Sequence, residues 1–369
     1  MVEAGLIANT PLASSDESNG GLSVDTDIVG LLRRLLPVVN QRTAQSCDEM
    51  FSFAELPEFS MALATVEDGS KASAKVPHLQ RQLTTALHQH FRKRWPTSIP
   101  DWSPEEKRRG LDRPTGNRTQ SGHTLDLSSL GVQYINAAVV PGFPPSQQSY
   151  IATQHPLPHT VADFWRMVLF VRPIAIVMLN GMPSAEDTND LAPYWLPSSL
   201  PENSLSLAAV EEEYHDAAAD CLVRMLRCKL HDLEWSGPQL VVSWWRDQSE
   251  PPLCKFLALC QLVNRLLLRS VPAPIVVHCA GGIGRAGVFI GADCAARGAA
   301  MGADLERCSP DRLVAHLRQC RQNMVQTAEQ YEFLHRVLPR LTTQMASDMA
   351  ASAERSPSQP SPGSPHEVG

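Results

Sequence analysis

No apolar run in the 369-residue chain reaches the ~20 residues that a membrane-spanning helix needs, so no span is expected. The first residues lack the charged, apolar and small-residue succession of a secretory leader. Nine cysteines are present, with no C-x-x-C pair and no regular framework. That lack argues against a disulfide scaffold and makes a reducing cytoplasm, or a nucleoplasm, the expected compartment. His88 and His90 read as surface positions of a helix, and no other Cys/His spacing suggests a zinc or heme site. An excess of positive charge is also missing: the net charge is −7, which argues against non-specific nucleic-acid binding. The clusters Arg92-Lys93-Arg94 and Lys107-Arg108-Arg109 read as solvated surface, with attraction of an anionic substrate as the alternative. No repeat occurs at solenoid or propeller spacing.

What is present is a chain with 43% hydrophobic residues, enough for one large domain with tails or two small ones. Residues 1–26 are rich in Ser, Gly, Asn and acids and are expected to be disordered. An N-terminal extension over 27–74 contains one short helical pattern, Ile28, Leu31, Leu32, Leu35 and Leu36, between Asp27 as a cap and Pro37 as a stop. That helix docks on the main domain or binds a partner. The main domain is read as 75–342. It has helical patterns at 78–90, 254–268, 284–300, 311–320 and 328–341, and strand-like runs at 132–140, 174–179, 240–244 and 275–278. Interleaved strands and helices predict an α/β fold. Residues 343–369 read as a disordered Ser/Pro-rich tail whose Ser356, Ser361 and Ser364 precede prolines, either kinase-accessible or inert.

The most informative stretch runs from Val276 to Gly287, VVHCAGGIGRAG. A buried strand ends on Cys279, a small-residue loop follows, and a helix starts near Gly284. Unpaired N–H groups and the positive end of the dipole make a helix N-terminus an anion site. Gly281, Gly282 and Gly284 let the amides of Ala280, Gly281, Gly282, Ile283 and Gly284 curl inward as a nest. Arg285 supplies a planar fork for two phosphate oxygens. Fields of this kind also favour thiolates, so the loop that binds a phosphate would prepare a nucleophile. A leaving alkoxide or phenoxide needs a proton. Asp247 lies on the polar loop Trp245-Arg246-Asp247-Gln248-Ser249-Glu250, between a strand and a helix, with Glu250 as a second carboxylate.

These residues resemble the protein tyrosine phosphatase family, the cysteine-dependent, phosphotyrosine-specific branch. The resemblance extends from about Leu79 to Leu341, in family order. Tyr134-Ile135-Asn136-Ala137 is similar to its YINA element. Tyr150 to Leu157 is similar to YIATQGPL, and Asp163-Phe164-Trp165 to DFW. Val177 to Asn180 is similar to VMLN, Tyr194-Trp195 to YW, and Met324 to Thr327 with Gln330-Tyr331 to MVQT-x-x-QY. The resemblance implies a twisted mixed central sheet flanked by helices, with the phosphate loop between a strand and a helix, and no cofactor or metal. It also implies Cys279 as nucleophile, Arg285 as phosphate-binding arginine and Asp247 as general acid. Gln326 and Gln330 would place the attacking water, His278 and Asn180 would support the loop, and Glu186 would orient Arg285. Phosphotyrosine-containing proteins would be the partners.

The chain also departs from the family pattern. Arg246 replaces the proline of WPD, and Ser249 a glycine. Thr119, in Asn117-Arg118-Thr119, replaces the tyrosine that walls the phosphotyrosine slot. His155 replaces the glycine of QGP. Ala286 replaces a Ser or Thr whose hydroxyl stabilises the departing thiolate. The sequence therefore predicts a phosphatase of altered or reduced activity. Two other functions remain open: a phosphoprotein-binding module with little turnover, and a broader phosphoserine/threonine or phosphoinositide phosphatase. The loop contains none of the lysines that phosphoinositide enzymes carry, so inositides rank low.

Overall fold

In the computed structural model the described residues are 84–96 apart from 86, and 122–355 apart from 182–190, 200–205, 209–211, 269, 271 and 305–306. The two N-terminal segments, Thr119, Glu186 and the three Ser-Pro sites lie outside them.

Eight strands build one mixed sheet: β1 (Ala137–Pro141), β2 (Ser149–Gln154), β3 (Ala175–Met178), β4 (Ser206–Ala208), β5 (Glu213–Asp216), β6 (Cys221–Leu230), β7 (Leu233–Val242) and β8 (Ile275–Cys279). Their order is β1-β2-β8-β3-β7-β6-β4, and β5 also pairs with β6. The central β2, β8, β3 and β7 are parallel, while β1 and β6 join antiparallel on either side. Five helices follow: α1 (Val161–Val171), α2 (Leu253–Leu267), α3 (Gly284–Ala300), α4 (Pro310–Cys320) and α5 (Ala328–Arg355). A further helix covers 87–94 and buries Leu87 and Phe91.

All five residues of β8 are buried, as a strand with both faces covered must be. Alternation along it sorts its side chains into two cores. Val277 and Cys279 join the core under α2, α3, α4 and α5, while Val276 faces the core with α1, Trp165 and Trp235. Loops at the C-terminal ends of parallel strands form the usual crevice for ligands. The loop after β8 and the loop after β7 both leave the sheet at that end.

The fold is α/β as expected, and its elements differ from the sequence expectation in several places. The run at 132–140 becomes strand only from Ala137; just before it, the Asn136 side-chain amide donates to the Gln154 side chain (2.9 Å). β7 starts at Leu233, well before 240. Its polar and turn-forming residues, Glu234 to Gln239, interrupt the apolar run yet pair throughout with β6. β2, β4, β5, β6 and α1 are absent from the expected elements; β5 is mostly exposed and shows no apolar alternation. The last helix passes 341 and reaches Arg355, so residues 343–355 are helix and not tail. Tertiary contacts explain this: Met345 is buried, Gln344 donates to the Leu257 carbonyl (3.3 Å), and Asn264 donates to Asp348 (3.3 Å).

Candidate active site

β8 delivers Cys279, 2% exposed, to the floor of the crevice. The chain then turns through Gly282 at φ +68°, where a Cβ would overlap the Thr153 carbonyl. Only glycine fits both the angle and the space. A second close approach occurs at Gly287, where a Cβ would lie 2.5 Å from the Val325 amide nitrogen.

The loop's carbonyls are all drawn outward. The His155 amide donates to the carbonyls of Cys279 (2.9 Å) and Ala280 (3.1 Å). Arg321 donates from Nη2 to Gly281 O (3.1 Å) and from Nε to Gly282 O (2.9 Å). The Val325 amide donates to Ile283 O (3.1 Å). With its carbonyls held outside, the loop turns its N–H groups inward. None of the amides from Ala280 to Gly284 has an acceptor among the described residues. This is an anion nest at the N-terminus of the 17-residue helix α3.

Arg285 lies at the edge of the nest with its side chain 6% exposed. Nη1 donates to Trp245 O (2.9 Å), and Nη2 is 3.1 Å from Asp247 Oδ1. Nε is buried with no partner among the described residues. The Asp247 side chain is 58% exposed. Its loop folds on itself: Trp245 Nε1 donates to Ser249 O (3.0 Å), Ser249 Oγ donates to Arg246 O (2.9 Å), and Gln248 takes a positive φ of 56°. Trp245 anchors the loop edge-on against Phe256 of α2, 5.6 Å between centroids. Glu250 does not face the nest. Its carboxylate pairs with Arg336 of α5, whereas Asp247 is the carboxylate that pairs with Arg285.

Gln326 and Gln330 both lie against the phosphate loop. A Cβ on Gly284 would be 3.1 Å from Gln326 Oε1 and 3.2 Å from Gln330 Nε2. Gln330 is also structural, because its Oε1 accepts from the amides of Gln326 (2.9 Å) and Thr327 (3.3 Å) and so caps the start of α5. Its Nε2 remains for the loop.

His278 turns to the opposite face from Cys279. Gln239 donates to Tyr194 Oη (2.6 Å), and Tyr194 donates to His278 Nε2 (2.7 Å). Burial pushes the His278 pKa well below the ordinary imidazole range, so the ring is neutral. Asn180 acts at one remove: its Nδ2 donates to His155 Nδ1 (3.0 Å), and His155 Nε2 donates to Ala192 O (2.7 Å). Arg321, Tyr194 and Gln239 support the site without any signal as such in the sequence motifs, and His155 stands there only as a departure from QGP. The one available signal for Arg321 is its place three residues before the quoted Met324 segment. Six other cysteines are poor nucleophiles. Burial pushes the thiols of Cys221, Cys228, Cys294 and Cys320 up to about 12 and raises those of Cys260 and Cys308. Among the described residues no group of three or more His, Cys, Asp or Glu is placed to hold a metal ion, and no helix is long and apolar enough to cross a membrane.

Strand β8 thus ends on Cys279, and the loop after it leads through acceptor-free amides to Arg285 in the first turn of α3. The family model described as protein-tyrosine phosphatase matches residues 117–340, and the chain belongs to that family. Human tyrosine-protein phosphatase non-receptor type 7 is 32% identical over 233 residues, 62% of this chain and 59% of that protein. Mouse tyrosine-protein phosphatase non-receptor type 5 is 31% identical over 217 residues, 58% of this chain and 38% of that protein. The chain thus spans less than two thirds of the length of these relatives. A solved structure of PTPN18 in complex with HER2-pY1196 phosphopeptides superposes with a TM-score of 0.54 at 24% identity, covering 78% of this chain and 99% of that one, a likeness of fold.

Proposed function

We propose that the chain is a protein tyrosine phosphatase that hydrolyses phosphotyrosine in proteins through a phosphocysteine intermediate. One observation carries the reading most: every loop carbonyl from Cys279 to Ile283 is bonded to a partner outside the loop, which leaves the amides of the Cys279 loop without acceptors among the described residues. The cysteine thiolate attacks phosphorus while the amides of Ala280 to Gly284 take up the charge on the equatorial oxygens. Arg285 grips two oxygens through Nε and Nη2. Because Nη2 now holds Asp247 (3.1 Å), an arriving phosphate displaces that carboxylate toward the leaving oxygen. The displaced Asp247 carboxylate takes up a proton from solvent and passes it to the departing phenoxide. Water positioned by Gln326 and Gln330 then attacks the phosphocysteine, with Asp247 as base, releasing inorganic phosphate and the Cys279 thiolate. The eight described cysteines are free thiols, which supports a cytoplasmic setting with phosphotyrosine proteins as partners.

Asp247→Ala tests the acid. Turnover of a phosphotyrosine peptide should fall by ~10²-fold or more, and that of nitrophenyl phosphate much less, since an activated phenoxide leaves without a proton. Equal losses on both substrates in a steady-state comparison would make Asp247 structural.

Ala286, fully buried in the first turn of α3, is the departure from the family pattern expected to lower activity in this reading. A hydroxyl there would donate to the departing sulfur, and a hydrogen bond to a charged group contributes ~1.5–3 kcal/mol. Ala286→Ser should raise steady-state turnover by up to about ten- to a hundredfold. The initial burst of leaving group should change little, because formation of the phosphocysteine is untouched. A larger burst with an unaltered steady state, measured by stopped flow, would contradict this.

A further inference from the structure

We propose that the ion pair between Glu250 and Arg336 is a latch that holds the acid loop shut against Arg285. The inference rests on the acid role of Asp247 set out above and adds a positioning pair to it. The segment from Trp245 to Glu250 contains no proline, and Pro251-Pro252 follow it, so the stretch around Asp247 has no proline of its own to stiffen it. It is held instead at its two ends. At the first, Trp245 is edge-on to Phe256 (5.6 Å) and gives its carbonyl to Arg285 (2.9 Å). At the second, Glu250 pairs with Arg336.

Arg336 sits on α5, six residues after Gln330, and its guanidinium lies over the Phe333 ring, 5.7 Å from the centroid. Phe333 is edge-on to Phe256 at 5.0 Å. Both ends of the acid loop therefore meet a single aromatic stack shared by α2 and α5. Between the ends, the bonds from Trp245 Nε1 to Ser249 O and from Ser249 Oγ to Arg246 O tie the segment into one unit. Releasing Glu250 removes one of the two tethers on that unit and leaves Asp247 held only by Arg285 and the Trp245 end. The pair is partly open to solvent, with side chains 22% and 46% exposed for Arg336 and Glu250. Its effect is accordingly modest and salt-sensitive.

The test uses the full chain and three variants: Glu250→Gln, Arg336→Gln, and the charge swap Glu250→Arg with Arg336→Glu. Amide hydrogen exchange across residues 245–252 reads loop opening with no need for turnover. Each single variant should exchange roughly two- to fivefold faster than wild type, and the swap should return toward it. In parallel, kcat on a phosphotyrosine peptide should fall by a similar factor in the single variants, with less change on nitrophenyl phosphate. Added salt should reproduce the loss in wild type and have little further effect in Glu250→Gln. Unchanged exchange in both single variants, or a swap no better than either, overturns the latch. A wild-type chain that hydrolyses no ester would overturn the reaction instead, and the exchange measurement would still decide the latch.

Discussion

Cys279→Ser is expected to lower turnover by at least on the order of a thousandfold while leaving phosphopeptide affinity within a few-fold of wild type. The nucleophile in such chemistry is the thiolate, and a serine hydroxyl in the same place does not ionise to a comparable extent. The anion nest is made of backbone, fixed by Arg321, His155 and Val325 from outside, and it does not depend on the sulfur. Binding and turnover should therefore separate in this variant. The rate comes from steady-state release of phosphate and the affinity from calorimetry with the same peptide. Undiminished hydrolysis would remove Cys279 from the mechanism. A parallel loss of affinity would mean that the substitution has deformed the loop.

Arg285→Lys should cost nearly as much, about a hundred- to a thousandfold in kcat/KM, the range found for removal of one preorganised oxyanion donor. A lysine keeps the charge and loses the fork. It also loses two present contacts, the 2.9 Å bond to Trp245 O and the 3.1 Å pair with Asp247. The variant therefore weakens the phosphate grip and loosens the acid loop together. A kcat/KM close to wild type, with the fold intact by circular dichroism, would show that the amide nest alone carries the phosphate.

The helix at 284–300 and the strand at 275–278 are legible because each is bounded by chemistry that the sequence displays. A run of Ile275, Val276 and Val277 precedes the cysteine, and the glycines mark the turn. The β6–β7 hairpin is less legible for a physical reason. Its residues face solvent on one side and carry Arg227, Lys229, Glu234 and Ser236, so pairing comes from the ladder and not from an apolar run. The end of α5 is misread for the converse reason. Residues 343–355 look polar, yet Met345 is buried and the segment bonds to α2 at Leu257 and Asn264. A local pattern does not contain such contacts.

The site divides in the same way. Cys279, Arg285, Asp247, Gln326 and Gln330 are visible in sequence, and the structure gathers the last four around the loop that Cys279 opens. What stays hidden is the support. Arg321 lies 39 residues beyond Gly282, whose carbonyl it holds. Gln239 reaches His278 only through Tyr194. These are bonds across the fold between residue types that are ordinary anywhere in a chain. Glu250 shows the opposite case. In sequence it stands as a second acid, but its carboxylate is spent on Arg336.

The central claim is that phosphate passes through Cys279. A rapid-quench single-turnover reaction with a radiolabelled phosphotyrosine peptide tests it most directly. Wild-type protein quenched within the first turnover, then digested and mapped, should carry the label on the peptide containing Cys279. Asp247→Ala should hold that label longer, because the same carboxylate serves as base in the second step. Label on any other residue, or hydrolysis proceeding at full rate with no labelled protein at any time, would contradict the account.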